Sequence, residues 1–228
     1  YLSPRSGYTN IYRKPLHGAA DARIVVAGER TPEFESLHPF SSRLDSRDGV
    51  VIFSSKHGDR DALVFFDVAD DRVVGRYQFD SLVGIISPSW APTGDRVAFS
   101  GLTLGGISDL WILELPGGEL RRVTDDRYED LDPTWLPDGS SLVFSSDRAA
   151  GGAEGAHNLY RVHIAERALA PLTRGPWRDE APRWDAESGR ILFTSDRGGT
   201  FDLYSVDTLG IGRRETRVEG ALFDPAPL

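Results

Sequence analysis

The chain has no cysteine and no methionine among its 228 residues, and only two of its cations are lysines, Lys14 and Lys56. The missing cysteine excludes disulfides, thiolate metal sites and a cysteine nucleophile. No apolar run approaches the roughly eighteen residues of a membrane helix, so this segment is not expected to insert into a membrane. Positive charge is scarce: 26 Lys and Arg face 35 Asp and Glu, for a net charge of −9. A nucleic-acid binder needs a concentrated basic surface, and none is visible, so nucleic acid is set aside as a partner. The five histidines, at 17, 38, 57, 157 and 163, lack the HExxH spacing, and no GxSxG nucleophile elbow occurs. With no initiator methionine and no signal peptide at its first residue, the chain reads as a segment of a longer polypeptide.

What the chain does have is a repeat. Ser87-Pro88-Ser89-Trp90, followed by Val97-Ala98-Phe99-Ser100, returns as Asp132-Pro133-Thr134-Trp135 with Leu142-Val143-Phe144-Ser145. It returns again as Pro182-Arg183-Trp184 with Ile191-Leu192-Phe193-Thr194, and weaker copies start at Pro39 and Pro225. The prolines are spaced by 49, 45, 49 and 43 residues. A period of this size with strand-like content predicts an all-β propeller of four-stranded antiparallel blades.

Each unit reads as four short strands. In the clearest one they are 129–135, 141–146, 158–162 and 168–173, with Pro137-Asp138-Gly139 as the first turn. The second strand is apolar at nearly every position, as expected of a sheet covered on both faces. The recurring Trp90, Trp135 and Trp184 are expected to fill space between blades. Ser146-Asp147-Arg148 recurs as Ser195-Asp196-Arg197, with the Asp expected to cap a turn and the Arg to pack on a neighbouring blade. Residues 3–12 align without a gap on 195–204. The expected organisation is a partial blade at 1–35, blades at 36–83, 84–129, 130–179 and 180–223, and the start of another at 224–228. These would be four complete repeats plus a partial fifth, cut from a larger ring.

These motifs resemble the TolB-type (WD-like) bacterial β-propeller repeat: Pro-x-Trp, Pro-Asp-Gly, an apolar strand ending in Phe and Ser, Ser-Asp-Arg, Leu-Tyr and Leu-Thr. The match covers nearly the whole chain. It departs in the first full unit, where Ser41 stands for Trp, and at Ser188-Gly189. The resemblance implies a periplasmic or cell-envelope protein whose propeller receives a protein or peptide partner. It transfers an interaction role without naming the partner.

One polar group is left over. Carboxylates cluster just before the prolines, at Glu35, Asp130, Asp132, Asp179, Glu180 and Asp224, with His38 beside them. In a propeller these positions fall near one mouth of the channel. They read as a docking mouth for a basic segment, as solvated edge charges, or as oxygen ligands for Ca²⁺; no cofactor is otherwise expected. Two functions are consistent with this. The first is a non-catalytic interaction propeller with those residues as its partner-binding set. The second is the substrate-gating propeller of a prolyl-oligopeptidase-like serine peptidase whose catalytic domain lies outside this chain.

Overall fold

The computed structural model describes residues 1–15, 17, 20–28, 34–38, 43–148 and 155–222. These residues form five antiparallel sheets and no helix. Compactness divides the chain into two units, 1–88 with 101–105, and 89–100 with 106–228.

In the first unit, β1 (Leu2–Ser3), β2 (Asn10–Arg13) and β3 (Arg23–Val26) make a sheet in that order. The next sheet runs β4 (Ser36–Leu37), β6 (Val50–His57), β7 (Arg60–Asp67) and β8 (Arg72–Tyr77), with β5 (Asp45–Arg47) also paired to β6. Its core joins Ile11, Val26 and Phe34 to Phe53, Val64 and Phe66. A third sheet, whose residues are divided between the two units, is formed by β9 (Leu82–Trp90), β10 (Arg96–Thr103), β11 (Ser108–Glu114) and β12 (Leu120–Arg122).

The second unit holds two further sheets of one plan. One is β13 (Asp130–Trp135), β14 (Ser141–Ser146), β15 (Asn158–His163) and β16 (Ala168–Pro171). The other is β17 (Asp179–Asp185), β18 (Arg190–Ser195), β19 (Asp202–Val206) and β20 (Gly212–Arg214). Each is a simple meander, the strand order of a propeller blade. The second strand is dry as its apolar run demands: Leu142, Val143, Phe144, Ile191 and Phe193 have no exposed surface. The fourth strands, by contrast, are half-exposed or exposed along their length.

Local chemistry sets the turns and bends. At Pro137-Asp138-Gly139, Gly139 takes φ +63°, and the Asp138 carboxylate accepts from the Ser140 and Ser141 amides. That matches the expected turn, glycine supplying the left-handed backbone. The first strands carry a bulge at the proline: Ser87, Asp132 and Ala181 take φ of 53°, 56° and 54°. Pairing skips between Leu131 and Thr134 and between Glu180 and Arg183. The left-handed residue absorbs the extra position and re-aims the side chains before each proline.

The tryptophans differ from one another. Trp135 is 3% exposed, its indole N–H donates to the Ser89 carbonyl at 3.0 Å, and Arg96 lies over its ring. Trp184 and Trp90 are only half-buried, so full burial at every repeat is not realised. Trp135→Ala should therefore cost about 3–5 kcal/mol, as for deletion of a large aromatic from a core. Trp184→Ala should cost clearly less. Paired urea denaturation curves check the ranking, and equal losses would contradict it.

Candidate functional site

The pre-proline residues begin the first strand of a sheet, where the chain enters from the preceding fourth strand. Asp130 and Asp179 open β13 and β17, and both have no exposed surface. Arg148 Nη2 lies 2.5 Å from both Asp130 carboxylate oxygens, and Arg197 Nη2 lies 2.6 and 2.7 Å from those of Asp179. Each guanidinium is also fixed by its own turn, Arg148 Nε donating to Ser146 Oγ and Arg197 Nε to Ser195 Oγ, both at 2.9 Å. Aromatic rings close the cage: Tyr128, Phe144 and Tyr160 around Arg148, and Trp177, Phe193 and Tyr204 around Arg197. Such stacking suits a planar guanidinium.

The arginine of Ser-Asp-Arg stacks on rings of its own sheet, Phe144 and Tyr160 or Phe193 and Tyr204, and on Tyr128 or Trp177 of the link arriving from the preceding sheet. One expectation is corrected. Asp130 and Asp179 are not solvent-facing docking groups; they are counter-ions sealed inside the sheet, and a lysine at either place would meet a buried guanidinium. The aspartate of the triplet does not cap its own turn but the entry to the first strand: Asp147 accepts from the Glu129 amide and Asp196 from the Arg178 amide, at 2.9 and 2.8 Å.

The remaining pre-proline groups differ in exposure. Asp132 sits half-exposed at the β13 bulge, its amide donating to Ser100 Oγ. Glu180 is half-exposed on β17 and pairs with Arg178 at 2.5 Å. In the first unit, Glu35 is exposed and accepts from the Gly58 amide, and His38 Nε2 lies 2.9 Å from Asp61 Oδ1. Asp224 lies outside the described residues. Among the described residues no three His, Cys, Asp or Glu side chains gather as a metal site.

A second set of polar residues, not singled out from the repeat, proves more regular. Asp61, Asp109, Asn158 and Asp202 stand at or next to the start of the third strand of a four-strand meander, Asn10 opens β2 of the three-stranded sheet, and all are buried, at 0 to 7% exposure. In four of the five, the side-chain oxygen accepts from a backbone amide beyond the last strand of its sheet, on the outgoing link or, for Ile85, inside β9 of the next sheet. The pairs are Gly28 to Asn10, Ile85 to Asp61, Gly175 to Asn158 and Val218 to Asp202. Asp109 and Asp202 are in addition gripped by Arg122 and Arg214 of the fourth strand. The threonine of Leu-Thr bonds in a matching way, the Thr124, Thr173 and Thr216 hydroxyls accepting from the Leu110, Leu159 and Leu203 amides. The signal was present as an Asn or Asp recurring every 44 to 51 residues.

Burial raises the pKa of two of these carboxyls. Desolvation pushes the Asp130 carboxyl up to about 6, against the pull of Arg148, and it pushes Asp109 upward as well. A carboxyl raised in the folded state binds its proton more tightly there than in the unfolded chain. Its contribution to stability therefore falls as pH rises from the ordinary carboxylate range through about 6. We expect the Asp130 carboxyl to titrate near that value by NMR, and Asp130→Asn to flatten the stability profile across the window. Arg148→Met should cost about 3–5 kcal/mol near neutral pH by leaving a buried carboxylate unpaired. The Asp130→Asn, Arg148→Met double variant should recover much of that loss in denaturation curves, and strict additivity would refute the pairing.

Comparison with known proteins bears on this architecture. No protein-family model matches the chain. An uncharacterized peptidase, YuxL of Bacillus subtilis (strain 168), is 29% identical over 123 residues, 52% of this chain and 18% of the peptidase. The Tol-Pal system protein TolB of Francisella tularensis subsp. holarctica (strain OSU18) is 28% identical over 120 residues, 53% of this chain and 26% of that protein. The chain thus matches only about a quarter or less of the length of these curated relatives. Among solved structures, a putative TolB from Agrobacterium tumefaciens superposes with TM-score 0.71 over 91% of this chain and 69% of its own, at 22% identity. The shared repeat, the meander sheets and these likenesses show a β-propeller fold of the TolB type.

Proposed function

We propose that this chain is a non-catalytic interaction propeller of a bacterial envelope protein, acting in the periplasm and receiving a protein or peptide segment. The observation that supports it most is how the recurrent polar residues are used. The buried Asn and Asp anchors and the Asp–Arg pairs are bonded to other groups of this chain, in their own sheet, on the outgoing link or, for Asp61, in β9 of the next sheet. The repeated chemistry is thereby consumed by construction. In the second unit the pre-proline groups that keep exposed surface are Asp132 and Glu180. We take these two as the docking residues there, favouring a basic or amide-rich segment, with association weakened by salt. Glu35, His38 and Asp224 stay in the proposed set as individual contacts. The TolB likeness supports the envelope location, and no helix among the described residues is long and apolar enough to cross a membrane.

A second reading is favoured by the YuxL match: the segment gates substrate for a serine peptidase domain carried elsewhere in the polypeptide. The two readings separate in one set of assays. A fluorescent Lys- and Arg-rich peptide should bind the chain at low salt and lose affinity at physiological salt. Asp132→Lys with Glu180→Lys should weaken it further, with the fold unchanged by circular dichroism. Equal binding by the double reversal would remove these residues from the site. Peptide hydrolysis by this chain alone would overturn the non-catalytic assignment. Hydrolysis confined to the longer polypeptide would support the gate.

A further inference from the structure

The links that enter β13 and β17 match residue for residue, but their charge is reversed. Asp125-Asp126-Arg127-Tyr128-Glu129 leads to Asp130, and Arg174-Gly175-Pro176-Trp177-Arg178 leads to Asp179. Just ahead of each, the Thr124 and Thr173 hydroxyls accept from the third strand of the preceding sheet, so the two links start from the same place. In the first link the acid at 126 is used. Its carboxylate takes Arg148 Nη1 at 2.9 Å, while Arg148 Nη2 takes Asp130. Arg148 thus carries two carboxylates, and its side chain is only 8% exposed.

The second link leaves its arginines short of acid. Arg197 Nη2 takes Asp179 and its Nε takes Ser195, but among the described residues nothing accepts from Nη1. Position 175 cannot supply the acid, because a Cβ on Gly175 would lie 2.1 Å from the Trp177 ring. Where Asp125 pairs with Arg122 at 2.7 Å, the aligned residues are Arg174 and Pro171, and among the described residues no carboxylate pairs with Arg174. Arg174 is exposed, and the Arg197 side chain is 22% exposed. Both line a cavity of about 360 Å³, with Pro171, Leu172, Thr173 and Leu209 among its other walls. The cavity lies wholly within the second unit.

We propose that this cavity binds a small organic acid, whose carboxylate sits between Arg197 Nη1 and the Arg174 guanidinium and does for Arg197 what Asp126 does for Arg148. Two guanidiniums here share one buried carboxylate, Asp179, so an anion restores the balance that the first link achieves with its own residues. Charge-assisted bonds from a planar guanidinium favour a planar carboxylate. Pro171, Leu172 and the exposed Leu209 offer apolar surface to the body of the acid, and the volume is in the range of small-molecule sites. This site is separate from Asp132 and Glu180 and does not rest on the docking role proposed for them.

The test titrates the full chain with para-fluorobenzoate and with its neutral isostere para-fluorobenzamide, followed by fluorine NMR. The acid should bind saturably, and the amide about tenfold more weakly or worse, the effect of losing roughly 1.4 kcal/mol. Arg174→Gln, at an exposed position, should weaken the acid by a similar factor. Arg127→Gln, which removes the same charge from the first link, should leave its affinity unchanged. The indole N–H resonance of Trp177, whose ring Arg197 covers, should shift with the acid. The amide arm needs no protein variant, so misfolding cannot mimic the result. Absence of saturation, equal binding of acid and amide, or equal losses in the Arg174→Gln and Arg127→Gln chains would overturn the proposal.

Discussion

Everything in this fold hangs on buried side-chain oxygens that serve as local anchors for backbone. A meander sheet of short strands has little to say about where its chain goes after the fourth strand. The buried Asn or Asp anchors answer that, accepting the amide of Gly28, Ile85, Gly175 or Val218 and so fixing where the chain goes next. Where the anchor is an acid with an arginine in reach, as at Asp109 and Asp202, the fourth strand is tied in as well. Where it is an amide, as at Asn10 and Asn158, no counter-ion is needed. Leaving such an oxygen unbonded in a dry interior would cost about 1–3 kcal/mol, so the choice of residue and the path of the chain are one constraint.

The use of polar residues for construction shapes the functional reading. In an enzyme, buried acids and bases converge on a cleft and perturb one another. Here the buried carboxylates are dispersed, one or two to a sheet, each with its own arginine, threonine or amide. Electrostatic work is spent on holding strands together, leaving recognition to surfaces and edges.

Much of the fold was legible because packing leaves a periodic trace. The apolar second strands, the Pro-Asp-Gly turn and the return of Pro-x-Trp each report a local requirement, and each is met at Leu142–Phe144, Gly139 and Trp135. The candidate site was less legible. Asp130 and Asp132 look alike in sequence, two residues apart on one strand. The bulge at φ 56° breaks the alternation that would otherwise give them one environment, so one is sealed against Arg148 and the other meets solvent. The partner of Asp130 lies eighteen residues away across a hairpin, a pairing that composition and spacing do not reveal. Trp184 shows the same limit: it repeats Trp135 in sequence, yet it is only half-buried.

Caged arginine–aspartate pairs also give the sheets an unusual response to temperature. Hydration of charged groups becomes less favourable on warming, so the penalty for keeping Asp130, Asp179 and their guanidiniums out of water shrinks as temperature rises. Apolar packing around Phe144 and Phe193 gains little over the same range. Heating thus shifts the burden of cohesion from the aromatic cages toward the ions they enclose.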